Sequence, residues 1–242
     1  MKSIRPLLLI AALLIAAPLL TGCAGARNPA DPLEPFNRGV YRFNDSVDRA
    51  VVKPVARAYD TVMPMPGKIA VGNFISNLDD VVVTANDLLQ LKFIQAITDG
   101  SRFLINSTFG VAGLFNVAYK LEKHHEDFGQ TLGYWGVGSG PYLMLPFLGP
   151  SSMRDTPGLY VDTITGVPGH IEYVPTRNQY YVGTFVHKRA ALLDSEKVLD
   201  EAALDRYEMM RDAYLMRRKS LVYDGNPPRE RYDDEEFDDT GE

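Results

Sequence analysis

Apolar residues recur along this chain at helical intervals. Phe36, Val40, Phe43, Val47, Val51 and Val55 follow one another by three or four positions, which puts them on one face of a helix, with Pro54 expected to kink or break it near its end. A second helical region runs from Ile69 to Ile97. In it Phe74, Leu78, Val81, Val82, Ala85, Leu88 and Leu89 form one stripe, and Asn73, Asn77, Asp80, Thr84 and Asp87 form another. Val81–Val83 alone would suit a strand, but the period around them is helical. Residues 103–119 are apolar on nearly every side apart from Asn106, Ser107, Thr108 and Asn116. That is the pattern of a helix packed at the centre of a domain or lying within one membrane leaflet, and it is too short and too rich in amides to span a bilayer. Leu192–Leu221 is amphipathic: Leu192, Leu199, Ala203, Tyr207, Met210 and Tyr214 oppose Glu196, Asp200, Glu201, Asp205, Arg206 and Arg211. Near its end, Arg217, Arg218 and Lys219 complement the helix dipole, stay solvated or meet anionic headgroups. The pattern predicts an all-α fold, one domain of amphipathic helices.

One stretch departs from this. Asp127–Asp155 carries six glycines and three prolines among aromatic and aliphatic side chains, so no regular helix is expected there and the loop must be buried or face lipid. Gly136, Gly138 and Gly140 alternate with Val137 and Ser139, which would let the main chain turn sharply and another surface approach it closely.

The N-terminus changes the picture of where the chain works. Lys2 and Arg5 precede an apolar run, Leu7–Leu20, that is too short to span a bilayer and ends in Leu20-Thr21-Gly22-Cys23. This is an export signal, and its ending resembles a lipobox, in which the cysteine is acylated and becomes the new N-terminus. Cys23 is the single cysteine, so no disulfide forms within the chain. By the same resemblance Ala24 favours sorting to the outer membrane. The organisation expected is a signal peptide (1–22), a lipidated linker (23–32), a helical domain (33–223) and a tail (224–242). The net charge of −6 sits mostly in that tail, whose nine acidic residues face only Arg229 and Arg231. The tail has too few apolar side chains to offset its ordering entropy and is expected to be disordered. The near-neutral body argues against nucleic acid binding.

Motifs for catalysis are missing. His124-His125-Glu126-Asp127 has metal-ligand types without zinc spacing, Ser139 in the glycine run stands one position late for a hydrolase elbow, and there is no Walker lysine or dinucleotide loop. No catalytic residue, metal or cofactor is assigned.

Several segments together resemble the MlaA (VacJ) family of outer-membrane lipoproteins: Asp31-Pro32-Leu33-Glu34-Pro35-Phe36-Asn37-Arg38, Asn73-Phe74, Asn86-Asp87-Leu88-Leu89-Gln90, Glu126 to Gly133, Gly136 to Tyr142, Leu145-Pro146, and Gly149-Pro150-Ser151 with Arg154-Asp155. Leu91, where the family usually has glycine, and Asn116, where it often has aspartate, depart from the pattern. The resemblance implies a helical ring around an amphipathic pore, seated in the inner leaflet of the outer membrane and anchored through Cys23. It would remove phospholipids mislocalised to the outer leaflet and pass them to a periplasmic carrier protein, in association with a trimeric porin. Candidate residues for the lipid path are Gly136, Gly138, Gly140, Tyr134, Trp135, Tyr142, Asn73, Asn77 and Asp87. The rival expectation is a porin adaptor that carries no lipid.

Overall fold

The computed structural model describes residues 28–196 and 204–228. Cys23, the signal segment and nearly all of the acidic tail lie outside the described residues. The chain forms α1 (Glu34–Val47), a π-helical turn (Asp48–Val52), α2 (Lys53–Val62), α3 (Met65–Leu89), α4 (Phe93–Thr108), α5 (Phe128–Tyr134), β1 (Tyr142–Leu145), β2 (Gly149–Ser152), α6 (Asp155–Thr165), a 3-10 turn (Val167–His170), α7 (Val174–Ala191) and α8 (Arg206–Val222).

Pro54 does not break the first helix as expected. It has no N–H to donate to Ala50, and its ring would crowd that carbonyl, so the turn before it widens to a π-helix and the chain continues into α2. The long 69–97 region divides at Gln90–Lys92, where Leu91 takes a left-handed φ of 61°. Past Thr108 the expected third helix becomes a series of turns through Gly110 and Gly113. In the glycine-rich stretch a short helix does form, because Asp127 caps it by accepting from the Gln130 amide at 2.8 Å. A hairpin follows that no periodicity announced, pairing Tyr142 with Ser152 and Leu145 with Gly149 in antiparallel register. Helix α7 was likewise not anticipated, and α8 starts only after Asp205, whose side chain accepts from Tyr207 N and Glu208 N.

The long helices α3 and α4 form an antiparallel pair, α2 lies on α7, and α8 closes over α5 and β2. A small aromatic core of Tyr142, Met144 and Tyr207 sits between α1, the hairpin and α8, with Tyr142 edge-on to Tyr207 (6.2 Å) and Tyr214 (6.0 Å). Ala30 and Asp31, read from sequence as linker, are tied into it: Tyr142 N donates to Ala30 O, and Tyr207 Oη to buried Asp31.

The distribution of side chains is inverted relative to a protein folded in water. Among the described residues, eighteen buried side chains are polar or charged and nine are apolar. Of the apolar stripe at the start of the chain, Phe36, Phe43, Val51 and Val55 are exposed and Val40 and Val47 are half-buried, Val40 against the aromatic core, while Asn37 and Ala56 of the same helices are buried. Helix α3 is turned the same way. Asn77, Asp80 and Asp87 face inward, whereas Leu88 and Leu89 face out.

Candidate functional site

The buried stripe of α3 is the floor of a polar interior. Asp80 there receives Lys123, which also donates to the Ser76 carbonyl at 2.9 Å, and the Arg102 guanidinium of α4 lies 3.7 Å away. Arg102 continues to the carbonyls of Ala118 and Leu121, and Asp99 holds His124 Nδ1 at 2.6 Å. One turn further, Gln90 donates to Glu126 (2.8 Å) and to Thr131 (3.0 Å), and Thr131 donates to Asn86. Lys92 reaches back to Glu126 at 2.9 Å. Each buried charge thus meets an opposite charge or a polar side chain, as burial requires.

Asp87 is the exception. It is fully buried, and neither carboxylate oxygen has a hydrogen-bond partner in the protein. Burial, reinforced by the nearby carboxylates of Asp99 and Glu126, pushes its carboxyl up to about 7, so near neutral pH it holds a proton about half the time. Asp162, buried beside the start of α5, is raised to about 6 by burial even though the Phe128 amide donates to both its oxygens.

Asp79, on the part of α3 near α7, is exposed to solvent, yet surrounding protein raises its carboxyl against the opposing pull of Lys188, Lys123 and His125. Tyr180 of α7 is raised by burial and then by Asp79, and His125 is lowered by burial and by the cations Lys123 and Arg217. This cluster brings both signs of charge beside the polar stripe of α3.

The sequence-predicted residues fall into three places. Asn73, Asn77 and Asp87 lie along α3; Asn73 donates to the Leu114 carbonyl and Asn77 to Ser107 Oγ, which ties the helix to the end of α4. Gly113, with φ +86°, brings its backbone so close to Asn77 that an added Cβ would lie 2.6 Å from Nδ2. Tyr134 and Trp135 sit half-exposed at the α3–α4 turn, Tyr134 under Lys92 and Trp135 donating from Nε1 to the Leu89 carbonyl at 3.2 Å. Tyr142 is a core residue, away from both. The glycine run is close-packed only at Gly140, where an added Cβ would lie 3.0 Å from Met153 Cβ. A Cβ on Gly136 or Gly138 would meet nothing within 4 Å, and Gly136 and Gly140 also hold φ of +91° and +65°. Arg218, read from sequence as complementing the helix dipole, staying solvated or meeting anionic headgroups, instead pairs its guanidinium with Asp127 and Asp155. Sequence reasoning missed Asp79, Asp99, Arg102, Lys123 and Glu126; for the first three the available signal was charge placed inside otherwise apolar helices, whereas Lys123 and Glu126 lie in the irregular segment before α5. The His124–Asp127 run splits among separate networks, and no group of three ligands among the described residues could hold a metal ion.

Residues 29–221 match the family model of the MlaA lipoprotein. The chain is similar to the intermembrane phospholipid transport system lipoproteins MlaA of Shigella flexneri and Escherichia coli, 35% identical over 89% of this chain and 89% of each of those. The Haemophilus influenzae protein of the same name is 32% identical over 88% of this chain and 89% of its own length. A solved structure from work on the "Structural basis for maintenance of bacterial outer membrane lipid asymmetry" superposes with a TM-score of 0.71 at 35% identity, covering 79% of this chain and 98% of that one.

Proposed function

The chain belongs to the MlaA lipoprotein family, and from that premise we propose that it is a membrane-seated phospholipid transport lipoprotein that maintains outer-membrane lipid asymmetry. In this reading it is anchored through Cys23 to the periplasmic face of the outer membrane. It takes up phospholipids mislocalised to the outer leaflet and delivers them to a periplasmic carrier, with a trimeric porin beside it.

The observation that carries the reading is the inversion: a charged, hydrogen-bonded interior inside a surface of exposed Phe, Leu, Ile and Val. Such a surface is costly in water and favourable among acyl chains. No described helix is long and apolar enough to cross a membrane, which suits a protein lying in one leaflet. A phospholipid headgroup moving through needs groups that replace its hydration. The charged cluster of Asp79, Lys123, His125 and Lys188 offers partners for both its phosphate and its cationic end, with Asn73 and Asn77 further along α3. Catalysis has no part in this reading.

The test is complementation. In cells lacking their own family member, this chain is expected to lower surface-exposed phospholipid, and Asp79→Lys to abolish that effect while leaving protein level and helicity intact. A chain that restores the outer leaflet with the charge at Asp79 reversed would overturn the assigned path. Recovery of lysophospholipid in place of intact lipid would overturn transport.

A further inference from the structure

Resting on the transport reading above, we propose that the cavity between α1, the π-helical turn, the hairpin, the end of α7 and the start of α8 is a binding site for one acyl chain of a membrane phospholipid, whose headgroup and second chain stay outside it.

The cavity has a volume of about 530 Å³ and stands apart from the charged cluster beside α3, since none of the residues assigned to the headgroup path lines it. A methylene group fills roughly the space of one water in the liquid, about 30 Å³, so there is room for on the order of 18 methylenes. That is one chain of membrane-lipid length. Two do not fit.

Its walls suit hydrocarbon. Met144, Phe147 and Leu148 of the hairpin line it together with Phe185 of α7 and Met209 and Met210 of α8. Thioether side chains are unbranched and polarisable, so a wall with three methionines adapts to a flexible chain that has no fixed shape.

The charges at the cavity exclude a headgroup as its occupant. Every acid and base among the described lining residues already has a partner. Asp48 accepts two bonds from Arg189, both 2.8 Å, and Glu196 accepts from Arg189 and Lys53, each at 2.8 Å. Asp45 pairs with Arg49 at 2.8 Å, and Arg206 is engaged with Tyr41. A phosphate or an ammonium entering here would have to displace one of these partners, whereas a methylene chain leaves them all intact.

The π-helical turn forced by Pro54 shapes the same space. It gives the cavity both Asp48 and Val52. The pairs Asp48–Arg189 and Lys53–Glu196 then brace this turn and the start of α2 against the end of α7 and the segment after it, which fixes the separation of the walls.

The full-length lipidated protein in phosphatidylethanolamine–phosphatidylglycerol nanodiscs is illuminated with phosphatidylethanolamine carrying a diazirine at the methyl end of one acyl chain, and labelled peptides are mapped by mass spectrometry. Label is expected on the hairpin and on residues 206–213. The same lipid with its diazirine on the headgroup should leave these segments unlabelled. Diacylglycerol with the chain diazirine should label them as strongly as the phospholipid, because the charges at the cavity are already paired. Ser195→Phe and Ala213→Phe narrow the cavity and should each cut the chain label severalfold with helicity unchanged, and Met210→Leu, which conserves volume, should keep it. Headgroup labelling of these segments, dependence on the phosphate, labelling by a diazirine lysophospholipid but not by the two-chain lipid, or chain label that both Phe variants leave unchanged would each overturn the proposal. Surface-exposed phospholipid is measured separately in cells carrying the wild-type chain. Chain label in a protein that fails to lower it refutes the transport reading and leaves the site standing, and lowering without chain label refutes the site alone.

Discussion

Arg218, in the last helix, donates from Nη2 to Asp127 Oδ1 at 2.9 Å and so binds α8 to the cap of α5. The same nitrogen reaches Asp155 Oδ1 at 3.0 Å, and Tyr214 donates to the other oxygen of Asp155 at 2.7 Å. Burial alone would raise both carboxyls, but the guanidinium holds Asp127 below the ordinary carboxylate range, and Arg154 with Arg218 does the same for Asp155. Arg218→Ala leaves Asp127 without its cation and Asp155 with Arg154 alone, and is expected to cost about 3 kcal/mol, the low end for a broken buried pair because Asp127 is partly exposed. Since both folded pKa values are depressed, this stabilisation is complete above the unfolded carboxylate pKa near 4 and is lost as pH falls through the lower folded values. Denaturant titrations across the acid range should show wild type losing stability there and the variant losing much less.

Asp87 works in the opposite sense. Its folded pKa, raised to about 7, lies above the unfolded value near 4, so the folded state holds a proton that the unfolded state has released between those limits. Stability should therefore fall as pH rises from about 4 to about 7, with Asp162 adding to the slope up to about 6. Asp87→Asn removes the ionisation, and the variant is expected to be more stable than wild type at pH 8 by about 2 kcal/mol, the two converging below pH 4. Unfolding midpoints at the two pH values decide it, and a variant less stable at both would show that the carboxylate is needed in its charged form.

Asn37 and Asn44 stand two helical turns apart on α1 and grip successive parts of the hairpin. Asn37 accepts from Met144 N and donates to Tyr142 O and to Asp31; Asn44 donates to Leu145 O and accepts from Phe147 N. Asn37 is fully buried, so Asn37→Ala strands several buried groups and should cost about 3 kcal/mol, whereas Asn44→Ala, at the wetter tip, should cost about 1 kcal/mol. Amide exchange of the hairpin should quicken throughout in the first variant and only near Phe147 in the second.

These two asparagines also show what the sequence could and could not disclose. The interval of Phe36, Val40, Phe43 and Val47 announces a helix, because period depends on geometry alone. Which face lies inward depends on the surrounding medium, and here Asn37 is buried while Phe36 is exposed. The polar stripe of α3 was legible for the same reason, and Asn77 and Asp87 could be named from it. The charged groups that complete the polar interior, Asp99, Arg102, Lys123 and Glu126, come from other segments, and no local pattern joins them to α3. Gly138 misled because glycine density signals backbone freedom without saying whether anything lies close by, and nothing does.

Cys23 lies outside the described residues, and its prediction rests on the Leu20-Thr21-Gly22-Cys23 sequence alone. Cys23→Ala should abolish labelling by a palmitate analogue and leave the precursor unprocessed at that site. The folded domain should be unaffected, because the described chain makes its first tertiary contacts at Ala30 and Asp31. Labelling that persists in the variant would sink the lipoprotein assignment.

The acidic tail can be divided by two truncations that the sequence alone would not separate. Asp224, its first residue, lies 2.6 Å from Lys92, and Lys92 also neutralises Glu126, whose side chain is 3% exposed. Ending the chain after Pro228 removes only residues beyond this contact and should leave stability unchanged. Ending it after Tyr223 also deletes the exposed partner, worth about 0.5 kcal/mol for a surface pair. Lys92→Ala is the informative contrast. It leaves Glu126 buried with Gln90 and no cation, and the expected cost is about 3 kcal/mol. Thermal unfolding of the three variants should therefore rank them in that order. If ending the chain after Tyr223 is as damaging as Lys92→Ala, Asp224 is the principal partner of Lys92 and the folded domain extends into the tail.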